Sequence, residues 1–200
     1  DIVVAHLDPQ ARVAGVYTQS SFAAAPVLLA RERQENCQAW VINSGNANAA
    51  TGEPGKQDAH IICESTAELL GIDVGQVQPL STGVIGERLD VPALTRAVAS
   101  AAATLRSDGW LSAANAIMTT DTVPKLVSKR IALSTGEVVV TGMAKGSGMI
   151  KPDMATMLAF VACNANISPP LLKQLTTDLA NQSFNRISVD GDTSTNDCFM

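Results

Sequence analysis

Lys145-Gly146-Ser147-Gly148-Met149-Ile150-Lys151-Pro152-Asp153-Met154-Ala155-Thr156 runs straight into the apolar stretch Met157 to Cys163. Glycines mark places where a backbone must bend or come close to something, and Pro152 fixes a bend. The apolar run reads as a buried strand. A hydroxyl residue thus stands at the mouth of a strand, with a lysine and an aspartate nearby. That arrangement suits a nucleophile held on a rigid edge.

A threonine hydroxyl is a poor nucleophile near neutral pH and needs a base. The usual base is histidine, yet the chain holds only His6 and His60, neither in a segment that reads as a site. A threonine can use its own α-amine instead, but only as the first residue of a chain. Cleavage between Ala155 and Thr156 would create that amine. The Thr156 hydroxyl would attack the Ala155 carbonyl, the peptide would shift to an ester, and water would release the new terminus. Ala155 is small, and Gly146 and Gly148 let the backbone strain. The competing reading makes Thr156 a β-branched residue that simply starts a strand.

A chain of 200 residues with 46% hydrophobic side chains can fill one substantial core or two small ones. Its net charge of -5, without a basic run, favours neither nucleic acid nor an anionic membrane surface. Cys37, Cys63, Cys163 and Cys198 show no metal-type or redox-type spacing, which fits buried thiols in a reducing compartment. A cytoplasmic location is therefore expected, and Asp1 to Ala5 shows no signal peptide or membrane span. The absence of an initiator methionine and the abrupt stop at Met200 read as two cut ends.

Along the chain, Ala11 to Tyr17 reads as a strand, followed by a helix capped by Ser20 or Ser21 and reaching Arg33. Cys37 to Ile42 reads as a strand entering the turn-rich loop Asn43 to Asn48, whose amides could face a ligand or simply make a turn. Pro54 opens a helix that Gly71 ends. Val77 to Leu80 leads into Ser81-Thr82-Gly83-Val84-Ile85-Gly86, a weak phosphate-loop signal with no following lysine. Asp90 caps a further helix, with Pro92 in its first turn. Thr119, Thr120 and Thr122 surround Asp121 just before Pro124, as a self-satisfied turn would. Leu126 to Leu133 and Glu137 to Thr141 alternate around Ser134-Thr135-Gly136 as a hairpin. Ser168 and Pro169 start a helix, and Arg186 to Val189 reads as a last strand. The expected fold is α/β, with strands stacked between helices.

Beyond that strand lies Asp190-Gly191-Asp192-Thr193-Ser194-Thr195-Asn196-Asp197. An apolar strand followed by Asp-x-Asp-x-Ser resembles the nucleophile loop of haloacid-dehalogenase-like phosphatases, with Asp190 taking the phosphoryl group and Asp192 handling protons. In those enzymes the strand opens the domain, whereas here it comes near the end of the chain. The pattern lacks the glycine and glutamate of a calcium loop. A non-catalytic binding module would explain the turn-rich loops, but not their clustering around a threonine at a strand edge.

Six blocks taken together carry a resemblance: AGVYTQSSFAAAPVLLAR, VINSGNANAATG, LSTGVIGERL, AIMTTDTVPK, KGSGMIKPDMATMLAF and SFNRISVDGDTSTND. In that order, and over nearly all 200 residues, the chain resembles the ornithine acetyltransferase (glutamate N-acetyltransferase) family. The resemblance implies the layered sandwich of self-processing N-terminal-nucleophile enzymes. It implies cutting at Ala155–Thr156, which divides the sequence into an α-chain portion, 1–155, and the start of a β chain, 156–200, whose C-terminal remainder is absent. It further implies Thr156 as the acetyl-accepting nucleophile, Thr82 and Gly83 as the oxyanion hole, and Lys145 and Thr122 as substrate contacts. The implied reaction moves an acetyl group from N2-acetylornithine to glutamate in arginine biosynthesis, with no metal or cofactor and with acetyl-CoA as a conceivable second donor. A heterotetramer of two α and two β chains is the implied assembly. Within the same superfamily, an N-terminal-nucleophile aminopeptidase is the alternative.

Overall fold

The run Ala39–Asn46 forms strand β3, and its alternation decides the layering, because successive side chains of a strand leave on opposite faces. Trp40 and Ile42 enter one apolar cluster, while Ala39 and Val41 enter another. The computed structural model describes residues 1–134, 136–151 and 157–200. β3 is the middle of a three-stranded sheet, antiparallel to β1 (Ile2–His6) and parallel to β4 (Val77–Val84). A parallel pair needs a long crossover, which helix α2 (Gly52–Leu70) supplies. Pro79, which cannot donate to a ladder, sits on β4, an edge strand of this sheet.

The second sheet runs in the order β2 (Val16–Tyr17), β8 (Cys198–Phe199), β7 (Leu158–Cys163), β6 (Gly136–Lys145), β5 (Lys125–Leu133). Its pairs are antiparallel except β7 with β8. Strand β7 repeats the alternation of β3. Leu158 and Phe160 face the cluster of Trp40 and Ile42, and Ala159 turns to a third cluster with Ala180 of α5 (Pro169–Gln182). The Trp40 and Phe160 rings meet with centroids 5.2 Å apart, tilted by 46°, so the two sheets face each other directly. Burial of such a ring contributes about 2–3 kcal/mol.

The layers therefore run helix, sheet, sheet, helix. Helices α2 and α3 (Val91–Ala102) cover the outer face of the first sheet through Ile62, Cys63, Ala67 and Val98, and α5 covers the second. Helices α1 (Ala25–Glu32) and α4 (Trp110–Ala116) add Val27, Ala30 and Ala114 to the central core. This is the α/β sandwich expected from the sequence. A large buried amide is satisfied: Gln78 accepts from Trp40 Nε1 (3.0 Å) and donates to Tyr17 Oη (3.1 Å) and the Ala30 carbonyl (2.8 Å).

Several expected boundaries move, each for a local reason. The segment from Ala11 contributes only Val16 and Tyr17 to a strand, because its earlier part turns at Asp8, whose carbonyl accepts the Ala11 N–H (2.8 Å). Ser20 caps no helix. Its hydroxyl accepts the N–H of Phe22 (3.2 Å), the local turn that competes with helix, and α1 begins at Ala25 with Pro26 in its first turn. Asn43 to Asn46 is the end of β3 rather than a free loop. Arg186 to Val189 is not a strand: Ile187 and Val189 are exposed, and the Val189 N–H goes to Ile150 O (2.9 Å). Cys37, Cys63 and Cys198 are buried as expected, and burial pushes Cys37 and Cys63 each up to about 12, but Cys163 is exposed.

Candidate active site

Strands β3 and β4 end side by side, with Gly45 opposite Gly83. Gly83 has φ +134, and a Cβ there would lie 2.2 Å from the Gly45 carbonyl carbon. Only glycine permits this approach. A cavity of about 640 Å³ opens at this corner, and Gly45, Thr82, Gly83, Thr119, Thr120 and Lys145 are among the residues lining it.

Strand β6 delivers Lys145, and its side chain is buried, 3% exposed. Its Nζ donates to Thr82 Oγ1 at 3.1 Å. Burial pushes the Lys145 ammonium below its ordinary value, while Asp121 and Asp197 pull it back up. Asp121 braces the same corner. Its Oδ1 accepts the Gly146 N–H (2.8 Å) and an ion pair from Lys125. Burial alone would raise the Asp121 carboxyl, but Lys125 and the Gly146 N–H outweigh it and hold the group below the usual carboxylate range. Beside it, the hydroxyls of Thr120 and Ser147 meet at 2.6 Å. Thr82, Gly83 and Lys145, singled out in the sequence, thus stand together.

Thr122 does not join them. It is exposed and absent from the lining, whereas Thr119 and Thr120 take that place. Ala155 and Thr156 lie outside the described residues, between Lys151 and Met157. The asparagine amides of 43–48 are spent internally: Asn43 bonds Asn46 O (2.8 Å), Asn46 reaches Glu87 O and Arg88 O, and Asn48 bonds Gly55 O (2.8 Å). They shape the corner rather than face a ligand. No histidine lines the cavity among the described residues; His60 instead contacts Arg33 (2.8 Å) and Glu64 (3.4 Å) on the far side of the first sheet.

The sequence reading missed Asn196 and Asp197. Asn196 Nδ2 bridges Ala47 O (2.6 Å) and Ser81 O (2.9 Å), tying the segment before β8 to the ends of β3 and β4. Asp197 Oδ1 accepts the Met157 N–H (2.6 Å), and its Oδ2 has no hydrogen-bond partner among the described residues. Only a high density of small polar residues in 190–197 hinted at either. Burial pushes Asp197 up to about 8, against the Met157 N–H, Ser194 and Lys145. The folded chain therefore holds this proton more tightly than the unfolded one, whose aspartate titrates near about 4. The stability it contributes is full below about pH 4 and is lost as the pH rises to about 8. In Asp197→Asn that loss should disappear, so the urea midpoint of the full-length protein should fall less between about pH 5 and about pH 8 than in the wild type. An equal fall in both would refute the assignment.

The chain matches the ArgJ family over residues 1–200. It belongs to that family. Relatives named arginine biosynthesis bifunctional protein ArgJ include those of Pseudomonas syringae pv. tomato, 48% identical over all of this chain, and Psychrobacter arcticus, 49% identical over 99% of it. The chain spans about half the length of these curated relatives, 50% and 49%. Among solved structures it resembles ArgJ from Bacillus halodurans (TM-score 0.63, 31% identity, covering 77% of this chain and 91% of that one). It also resembles ornithine acetyltransferase from Mycobacterium tuberculosis in complex with ornithine (TM-score 0.67, 33% identity, 76% and 82%).

The phosphatase reading finds no support in the fold or in these relatives. Asp190 does not line the cavity among the described residues, and the strand that should carry it is missing. Both its oxygens accept backbone N–H groups, from Met149 (2.5 Å) and Ile150 (3.0 Å). The relatives reported above carry neither a phosphatase nor an aminopeptidase name.

Proposed function

We propose that the full-length protein to which this chain belongs transfers an acetyl group from N2-acetylornithine to glutamate, by way of an acetyl ester on Thr156. The observation that carries this reading is the buried Lys145–Thr82 contact in a cavity that also exposes Gly83. A fixed cation and a set of polar donors converge where Lys145 pairs with Leu158, the first residue of β7, which follows Thr156 and Met157 in the sequence.

The chain first cuts itself. The Thr156 hydroxyl attacks the Ala155 carbonyl carbon, the amide becomes an ester as the nitrogen leaves, and water hydrolyses the ester to a free Ala155 carboxylate and a free Thr156 amine. That amine is the base the hydroxyl needs. In the transfer, Thr156 Oγ attacks the acetyl carbonyl of N2-acetylornithine, and the α-amine takes the hydroxyl proton. The tetrahedral anion is held by Thr82 and Gly83, at a value of about 3–4 kcal/mol for one such donor. Collapse releases ornithine, whose leaving nitrogen takes that proton; the amine of glutamate then attacks the acetyl ester, its proton passes to the α-amine, and the acetyl–Oγ bond breaks as Thr156 Oγ takes that proton back. Lys145 places a positive charge for a substrate carboxylate, and Thr119 and Thr120 offer hydroxyls on the cavity wall where Thr122 does not. Acetyl-CoA is a further donor in this reading, which would make the enzyme bifunctional. Residues 1–155 belong to the α chain, the β chain begins at Thr156, and two of each chain assemble in the cytoplasm.

Purified full-length protein is expected to run as two fragments, with Thr156 as a free N-terminus by mass spectrometry. It should move acetyl from N2-acetylornithine to glutamate at a rate that a chelator leaves unchanged. A fully active uncut chain would refute the cleavage, and phosphate release that depends on Mg2+ would refute the reaction.

A further inference from the structure

The 188–197 segment holds the chain on both sides of the proposed cut. Downstream, Asp197 Oδ1 takes the Met157 N–H, and the Cys198 N–H donates to Met157 O (3.0 Å). Upstream, the Val189 N–H and the Ser188 hydroxyl both donate to Ile150 O (2.9 and 3.4 Å). Asp190 adds the strongest grip, with Oδ2 on the Met149 N–H (2.5 Å) and Oδ1 on the Ile150 N–H (3.0 Å). Charged acceptors make short, directional bonds of this kind. What they hold is a strained turn: Met149 has φ +56, a region that side chains disfavour.

We propose that Asp190 is a positioning residue for the cutting of the Ala155–Thr156 bond, acting through the backbone of Met149 and Ile150, which it fixes upstream of the cut. This rests on the self-cleavage proposed above. An intramolecular attack depends on how often the reacting atoms meet in line, and an unanchored Met149 would relax out of its left-handed turn. Once the bond is cut, the anchored residues no longer lead to the carbonyl under attack, so transfer depends on Asp190 less than cutting does, although Met149 also lines the cavity. The segment itself stays fixed by other bonds, since Thr18 Oγ1 donates to Ser194 O (2.6 Å) and the Ala24 N–H to Thr195 O (2.8 Å).

The test follows the appearance of the two fragments over time in the full-length protein, and measures transfer per cut molecule. Asp190→Ala should slow cutting by about tenfold or more, the scale at which lost positioning acts, while transfer per cut molecule falls by a smaller factor. Asp190→Asn keeps one acceptor and should fall between. Adding Met149→Gly to Asp190→Ala should restore part of the rate, because glycine enters the left-handed turn freely. Cutting at the wild-type rate in Asp190→Ala overturns the proposal. So does a parallel fall of cutting, transfer and thermal midpoint without rescue by Met149→Gly, which would mark a purely structural role. A wild type that never cuts removes the self-cleavage itself, whereas a wild type that cuts no faster than Asp190→Ala removes only the role of Asp190.

Discussion

Replacing Thr156 by alanine in the full-length protein is expected to leave a single uncut chain and to lower acetyl transfer by roughly a thousandfold or more, the scale set by removing a nucleophile. Both losses have one cause. The hydroxyl that would open the Ala155 carbonyl is the hydroxyl that would later carry the acetyl group, and without the cut its base never forms. The substitution removes few atoms, and the described residues that follow have anchors of their own: Met157 is held by Asp197, and Leu158 and Phe160 are buried against the facing sheet. The variant should therefore elute and melt like the wild type within the small range of an uncomplicated substitution. Thr156→Ser keeps a hydroxyl and should retain part of each activity. Fragment patterns on a gel, read beside transfer on the same folded samples, decide the matter. Normal transfer by Thr156→Ala would make the threonine structural and remove the central proposal.

Elements whose signals are local were legible in the sequence. The apolar spacing of Ala59, Ile62, Cys63 and Thr66 gave α2 its buried face, and Gly71 ends it in a left-handed cap with φ +68. Asp90 caps α3 through the Ala93 N–H (3.0 Å). The hairpin of β5 and β6 also follows from its own alternation. Strand β8 is different. Its two residues carry no period, and it exists because β2 and β7 offer ladders on either side. The converse holds for Ile187 and Val189, which alternate like a strand but join no ladder among the described residues. A strand is a property of two segments, and one segment cannot announce it.

The site divides in the same way. The family resemblance named Thr82, Gly83 and Lys145 one by one, but the Lys145–Thr82 bond forms only because the two sheets face each other. Which threonine of 119, 120 and 122 reaches the cavity depends on a bend braced by the buried Asp121, a tertiary matter that the run of similar residues could not resolve. Asp190 reads as a nucleophile from its motif and serves as a backbone anchor in the fold, because a carboxylate after an apolar run is equally suited to either task.

Gly83→Ala is the smallest change expected to damage the site and the fold together. The new Cβ would meet three backbone atoms, the Gly45 carbonyl carbon at 2.2 Å, the Asn46 nitrogen at 2.5 Å and the Gly45 oxygen at 2.5 Å. None is the end of a flexible side chain, so strands β3 and β4 must part. The φ of +134 adds backbone strain, so the two effects together should cost about 1–3 kcal/mol. If Gly83 and Thr82 hold the tetrahedral anion as proposed, any parting of the strands also moves the Gly83 N–H and the Thr82 hydroxyl away from it, and transfer by the folded fraction should drop by about 100-fold or more. Gly86→Ala is the control, since Gly86 also has a positive φ, +89, but open space around its Cβ position. It should lose some stability to strain and keep its transfer rate. Urea midpoints separate the fold from the chemistry, and transfer measured on equal amounts of folded, cut protein completes the comparison. If Gly83→Ala transfers acetyl as fast as Gly86→Ala does, the β3–β4 corner does not hold the oxyanion.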